Sequence, residues 1–382
     1  MSSFERAQAA CREQFGARPT AGAFAPGRVE IMGNHTDYNG GFVLPAALDK
    51  GTVMLGAPTG DDAITLYAAD FRRLARFSAQ TLQPDPRNSW ADYALGVVQQ
   101  LQKRGVPIGG FRAVIASDVP SGSGLSSSAA LEVSTAFFLK KCFPYELPPM
   151  EIARLAQQAE NEFVGVQCGI LDQFSSVFGR EGSLLFLDCL TLEHDAVKMG
   201  RDDLALVVCD SIVKHALTGG DYNTRRVECM DAARHFGKNL LREVSWDEFT
   251  TGEMKLPLNQ CKRARHILAE DRRVLAMREA IAGTDTAPIG RLLAEGHASC
   301  RDLFENTSPE LDFLVDKAVE IEGCIGAKMT GGGWGGCTIN LVELDAVPQF
   351  SETLAAYYRD ATGHEALIYP FRASEGAHIL DL

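Results

Sequence analysis

The chain has 382 residues, 46% of them hydrophobic and 23% charged, an ordinary globular composition on a length that more than one core usually serves. A formal net charge of −13 argues against a nucleic-acid or anionic-membrane surface. No apolar run approaches the roughly 20 residues that cross a bilayer, and the first residues lack a signal-peptide apolar region. Ten cysteines are scattered with no Cys-x-x-Cys pair, which predicts buried free thiols in a reducing cytoplasm rather than disulfides or a zinc site.

In chain order, residues 4–15 read as a short amphipathic helix. Val29 and Ile31 then alternate with polar neighbours, as in a half-buried strand. A dense polar turn follows, Gly33-Asn34-His35-Thr36-Asp37-Tyr38, closed by the turn signal Asn39-Gly40-Gly41. Two readings stand side by side: a hydrogen-bonded hairpin loop, or a set of donors and acceptors suited to sugar hydroxyls. Residues 61–80 alternate like strands and 90–104 read as a helix. Phe111 to Ala116 is a strand that leads into Val119-Pro120-Ser121-Gly122-Ser123-Gly124-Leu125-Ser126-Ser127-Ser128, and Ala130, Val133 and Phe137 recur behind it at helical spacing. Strand, glycine turn and helix start together expose free N–H groups at the positive end of a helix dipole, a place where phosphate binds. There is no Gly-Lys-Ser/Thr ending and no dinucleotide fingerprint. The plainer reading is a serine N-cap behind a turn.

A second helix is predicted over about 150–163, with Glu160 at the edge of its apolar face, either as a solvated glutamate or as a ligand. Asp172 interrupts the apolar segment Ile170-Leu171-Asp172-Gln173-Phe174. It is either a cap or a partly desolvated acid, and the latter suits proton abstraction. Strands are predicted at 182–189 and 204–210, with a lobe boundary near 180. Tyr222 follows in a polar stretch, and 258–282 and 287–304 look helical. The run Gly331-Gly332-Gly333-Trp334-Gly335-Gly336 precedes a strand. So many glycines imply close approach of the backbone to a ligand or another segment, or a tight structural loop.

Pro120 to Ala129 resembles the central motif of the small-molecule kinases that include galactokinase, homoserine kinase and mevalonate kinase. Gly27-Arg28-Val29 and Gly33 to Gly41 are similar to the signature of the galactokinase branch, as are Gln158-Ala159-Glu160 and Cys168 to Phe174. The glycine run at 331–336 is similar to the third family motif. The likeness covers nearly the whole chain, with three motifs in family order.

It implies an α+β, two-lobed fold with mixed and antiparallel sheets, an N-terminal lobe over 1–180, a C-terminal lobe over 181–382, and an active site between them. It also implies that ATP lies on Gly122, Ser123, Gly124, Leu125, Ser126, Ser127 and Ser128, with Mg²⁺ held by Ser128 and Glu160. The sugar would be oriented by Asn34, His35, Thr36, Asp37 and Tyr222, Asp172 would accept the proton of the anomeric hydroxyl, and Arg28 would stabilise the transferring phosphoryl group. The expected product is galactose 1-phosphate, made by a cytoplasmic enzyme that binds neither nucleic acid nor membrane; a monomer is compatible with this.

One departure stands out: Glu30 and Asn34 occupy positions where the branch usually has Asn and Glu. The usual Glu accepts a bond from the terminal hydroxyl of the sugar. Galacturonate and N-acetylgalactosamine are therefore alternative substrates. A non-catalytic sugar sensor is disfavoured by the intact loop, and a non-sugar alcohol by the turn at 33–41.

Overall fold

The computed structural model describes residues 1–214 and 219–382. In chain order its strands are β1 (Ala21–Met32), β2 (Phe42–Pro58), β3 (Ala63–Ala68), β4 (Arg73–Ser78), β5 (Phe111–Ser117), β6 (Ser183–Asp188), β7 (His194–Lys198), β8 (Leu204–Lys214), β9 (Cys324–Met329), β10 (Gly335–Glu343), β11 (Leu367–Phe371) and β12 (His378–Ile379). The helices are α1 (Ser3–Phe15), α2 (Ser89–Lys103), α3 (Ser127–Cys142), α4 (Pro149–Ala159), α5 (Leu171–Phe178), α6 (Gly219–His235), α7 (Trp246–Gly252), α8 (Leu258–Ala282), α9 (Ala287–Ser299), α10 (Pro309–Ala318) and α11 (Val347–Thr362). None is long and apolar enough to cross a membrane.

Two sheets carry the molecule. The larger runs β12-β1-β2-β5-β3-β4, with the β6–β7 hairpin joined to β2, and the smaller runs β11-β8-β10-β9. All pairings are antiparallel except β3 with β5, which gives the mixed α+β class read from the sequence. The second sheet begins at Leu204, so β6 and β7 stay with the first sheet, and β12 returns from the far end of the chain to pair with β1.

One apolar cluster packs α2, α3 and α4 against the first sheet through residues such as Leu95, Phe111 and Phe138. Another joins Val29, Ile31 and Leu44 of the first sheet to Val208 and Ile339 of the second, with Val274 of α8 and Leu293 of α9. That shared core fixes the edge of β1 against the second lobe, because burial of apolar area resists any separation of the two.

Local chemistry explains the ends that matter. Ser2 and Glu5 form a reciprocal capping box at the start of α1. Residues 150–163 are not one regular helix: α4 ends at Ala159 and continues as a π turn over Glu160–Val164. The segment 287–304 ends in the same way at Cys300–Phe304. Such turns arise where a helix re-aims side chains, commonly at functional sites. Asp172 lies in the first turn of α5, a short helix that the apolar run around it did not reveal.

Candidate active site

The loop between β5 and α3 turns through Gly122 (φ 74°) and Gly124 (φ 79°), both left-handed. Ser126 is left-handed as well, at φ 60°, although it has a side chain. It makes no side-chain cap to α3; its hydroxyl instead donates to Asp172 Oδ2 at 2.5 Å. The N–H groups that open α3 are therefore left for another acceptor, as an anion site requires. A non-glycine residue held in this region marks a place where surrounding contacts outweigh backbone preference. Gly122, Gly124, Ser126, Ser127 and Ser128 line the adjoining cavity. Ser123 and Leu125 do not: the Ser123 hydroxyl donates to the Pro120 carbonyl at 2.8 Å, and Leu125 is sealed in the core beside Val29.

The glycine run after β9 packs straight onto this loop. A Cβ on Gly331 would lie 2.5 Å from the Gly124 carbonyl oxygen, and one on Gly336 would lie 2.6 Å from that of Ser123. Close backbone approach explains these two glycines, with the phosphate loop as the partner.

Arg28 of β1 reaches across to α5. Its Nε donates to Asp172 Oδ1 at 2.8 Å, its Nη2 lies 2.6 Å from the same oxygen, and its Nη1 donates to the Gly124 carbonyl at 2.5 Å. The carboxylate at 172 is thus gripped by Arg28 on one oxygen and Ser126 on the other. Ser128 hydrogen-bonds to Glu160, and burial, with Asp172 nearby, pushes the Glu160 carboxyl up to about 7. Gln173 bridges Glu160 and the buried Glu132, donating at 2.8 and 2.9 Å. A hydroxyl and a carboxylate side by side are hard oxygen donors. A divalent cation there would stabilise the charged form that burial penalises, so the residues fit Mg²⁺.

The polar turn after β1 divides its work. Asn34 is fully buried, its Nδ2 donating to Glu30 Oε2 at 3.0 Å and to the Gly331 carbonyl at 2.9 Å, and its Oδ1 accepting from Lys328 Nζ. Thr36 is also fully buried, its Oγ1 2.7 Å from the Gly33 carbonyl and 2.6 Å from that of Phe42, which braces the turn. Neither side chain lines the cavity, whereas Glu30, His35, Asp37 and Tyr222 do. His35 stacks on Phe304 at 4.4 Å between ring centres and sits 5.3 Å from Tyr222. Its Nε2 faces the Gly332 carbonyl at 3.1 Å and its Nδ1 faces the Tyr38 hydroxyl at 3.0 Å, while burial pulls its pKa down to about 3, so the ring is neutral. Burial, then the Asp172 charge, pushes the Asp37 carboxyl up to about 6. Behind the turn, Glu270 accepts from the Gly33 N–H at 3.0 Å and pairs with Arg273.

The cleft has two chambers. The polar one, about 230 Å³, holds Arg28, Glu30, His35, Asp37 and Asp172. The other, about 600 Å³, is walled by Phe71, Trp90, Tyr93, Ile115 and Leu131. Gly122, Ser127, Ser128, Glu160, Val166 and Tyr222 face both.

Family models agree with this layout: the galactokinase galactose-binding signature matches residues 10–58, the GHMP kinases N terminal domain 92–180, and the GHMP kinases C terminal region 277–360. The galactokinase of Roseiflexus sp. is 43% identical over 370 residues, covering 96% of this chain and 94% of its own. The human galactokinase is 40% identical over 385 residues, covering 98% and 96%. The chain belongs to the galactokinase family. The crystal structure of Lactococcus lactis galactokinase complexed with galactose superposes with a TM-score of 0.93 at 33% identity, over 97% of this chain and 98% of that one. Methanococcus jannaschii mevalonate kinase, at 19% identity and a TM-score of 0.66 over 94% and 99%, shares the fold.

Several residues of this galactokinase-family cleft escaped sequence reasoning. Trp90 and Tyr93 lie one turn apart on α2 and Phe71 lies in the turn between β3 and β4, so only the helical pair shares a local spacing and nothing in the sequence joins Phe71 to it. Lys328 is a fully buried cation whose side-chain partner, Asn34, is 294 residues away. The visible signal was a lysine opening a glycine run. His266, which faces the Asn34 carbonyl at 3.0 Å, sits in a basic stretch of the helix 258–282 whose residues read as structural.

Proposed function

We propose that this chain transfers the γ-phosphoryl group of ATP to the anomeric hydroxyl of galactose, giving galactose 1-phosphate and ADP. The observation that carries the reading is Asp172, gripped by Arg28 and Ser126 where the polar chamber meets the glycine cradle. Galactose lies in the polar chamber with its anomeric hydroxyl toward Asp172, and His35, Asp37 and Tyr222 face its ring. The adenine occupies the aromatic chamber, where apolar walls favour a flat base. The triphosphate crosses Gly122 to Ser128, cradled by the N–H groups of α3.

Asp172 takes the hydroxyl proton as the oxygen attacks. The Arg28 guanidinium holds that carboxylate in place before transfer and offsets charge on the phosphoryl oxygens during it. Positioning and charge neutralisation are what phosphoryl transfer asks of a protein. Ser128 and Glu160 would hold Mg²⁺, which supplies neutralisation of the phosphate charge when bound. The cysteines are free thiols, as a reducing cytoplasm would keep them, and we place the enzyme there.

The galacturonate and N-acetylgalactosamine readings rested on a neutral Asn34 facing the sugar. Asn34 faces Glu30, Gly331 and Lys328 instead, and an acid lines the chamber, which favours galactose. ADP release measured over galactose, galacturonate, N-acetylgalactosamine and glucose tests the proposal. Galactose gives the highest kcat/KM; inert galactose beside an active competitor would overturn the substrate assignment.

A further inference from the structure

Of the four carboxyls that line the polar chamber, Glu30 is the one to which the proposed function gives no role. It is 2% exposed. Its Oε2 accepts from Asn34 at 3.0 Å, while its Oε1, equally buried, has no hydrogen-bond partner among the described residues. An acceptor left so is unfavourable unless something else completes it. Behind it the arrangement is closed. The Asn34 amide is committed on both sides, to Glu30 and Gly331 through nitrogen and to Lys328 through oxygen. Lys328 is fully buried, and its ammonium also donates to the Met329 carbonyl at 3.0 Å. Asn34 thus orients the Glu30 carboxyl, pinning one oxygen and leaving the other for the chamber.

The place of Glu30 along β1 says which part of a ligand it meets. Arg28 and Glu30 pair with Ala47 and Pro45 in unbroken register, so they share one face of the strand. Two residues along a strand span about 7 Å. Arg28 marks the reacting end beside Asp172, so Glu30 meets the end of the sugar remote from the anomeric carbon. It is also recessed, and the group of a hexose best able to reach a recessed carboxyl is the hydroxyl on its exocyclic arm.

We infer that Glu30 Oε1 is the hydrogen-bond partner of the 6-hydroxyl of the sugar, and that Asn34 and Lys328 are positioning residues for it. A hydroxyl both donates and accepts, so it serves the carboxyl in either protonation state; a methyl group serves neither. Glu30 thereby sets the selection for a hydroxymethyl arm. This rests on the galactose reading, and the test separates the two.

ADP release is measured with galactose, 4-deoxygalactose and 6-deoxygalactose, on wild-type protein and on Glu30→Ala. In wild type, removal of the 6-hydroxyl lowers kcat/KM about 10- to 100-fold, chiefly through KM. In Glu30→Ala, galactose and 6-deoxygalactose fall within about threefold of each other, while any penalty for losing the 4-hydroxyl stays as in wild type. If Glu30→Ala does not fold, the isosteric Glu30→Gln decides: its 6-hydroxyl discrimination drops at least about threefold. Equal use of galactose and 6-deoxygalactose by wild type, or undiminished discrimination in the variants, overturns the assignment of Glu30. No turnover of galactose by wild type overturns the reading beneath it.

Discussion

Two acidic side chains face the polar chamber from opposite ends, and they are held in opposite ways. At the reacting end, Asp172 touches a guanidinium directly, with Nη2 of Arg28 at 2.6 Å and the Ser126 hydroxyl at 2.5 Å, so both carboxylate oxygens are engaged by the protein. At the far end, Glu30 receives only one neutral amide hydrogen, and the nearest ammonium, Lys328, reaches it through Asn34. Burial pushes the Glu30 carboxyl up to about 8, against the pull of Lys328 and Arg28. The contrast shows how a fold gives one carboxylate a chemical task and another a recognition task. Direct ion pairing fixes an acid where it can take a proton. Indirect pairing leaves an acid unfinished, so that a ligand completes it.

The comparison breaks most sharply at its reacting end. Asp172→Asn keeps the shape but cannot take the proton, so kcat falls by about 10²–10⁴-fold with little change in KM, read by steady-state ADP release. Near-wild-type turnover by a folded variant would remove Asp172 from the role of base.

The far end is sharpened by pH. The folded value of Glu30, about 8, lies above its unfolded value of 4.5, so folding retains a proton that the unfolded chain has lost. Stability contributed by that proton is complete below 4.5 and is lost as pH rises through about 8. Glu30→Gln has no such proton to lose. Its stability relative to wild type therefore rises between those limits, by at most about 1.4 kcal/mol per pH unit, and levels off above them. Denaturant melts at several pH values read the gap, and a flat gap would show that the environment of Glu30 does not penalise its charge.

The smallest effect separates the brace from both acids. Thr36→Val removes a hydroxyl whose oxygen lies 2.7 and 2.6 Å from two backbone carbonyls. It should lower stability by about 1–2 kcal/mol in urea titrations. Substrate discrimination at the 6-hydroxyl should stay intact. A change in discrimination larger than the change in stability would show that the turn contacts sugar through Thr36.

Much of this was legible because the chemistry is local. The phosphate loop, with Gly122, Gly124 and Ser126 to Ser128 in one short segment, needs only strand, turn and helix to be recognised, and the structure supplies all three. The glycines at 331 and 336 announced a close approach, though the surface approached lay two hundred residues away. The polar turn showed its donors and acceptors but not their directions. Asn34 and Thr36 look as available in the sequence as His35 and Asp37. Their inward orientation depends on Lys328 and Gly331 for Asn34 and on the backbone of the turn for Thr36. Helix α5 around Asp172 was hidden by its length: Leu171, Phe174, Val177 and Phe178 recur at helical spacing, but across only eight residues a short apolar run does not by itself separate a helix from a strand.

The sequence by itself determined the kind of chemistry, since residue types and short spacings decide which groups can cradle phosphate, take a proton or bind a hydroxyl. Tertiary structure alone decided which of those groups face the substrate. Arg28 meets Asp172, and Lys328 meets Asn34, only because β1 is packed against α5 on one side and the second lobe on the other. A carboxylate becomes a base or a recognition site according to which of its lone pairs the fold has already filled, and partners that distant in the chain leave no trace in local spacing.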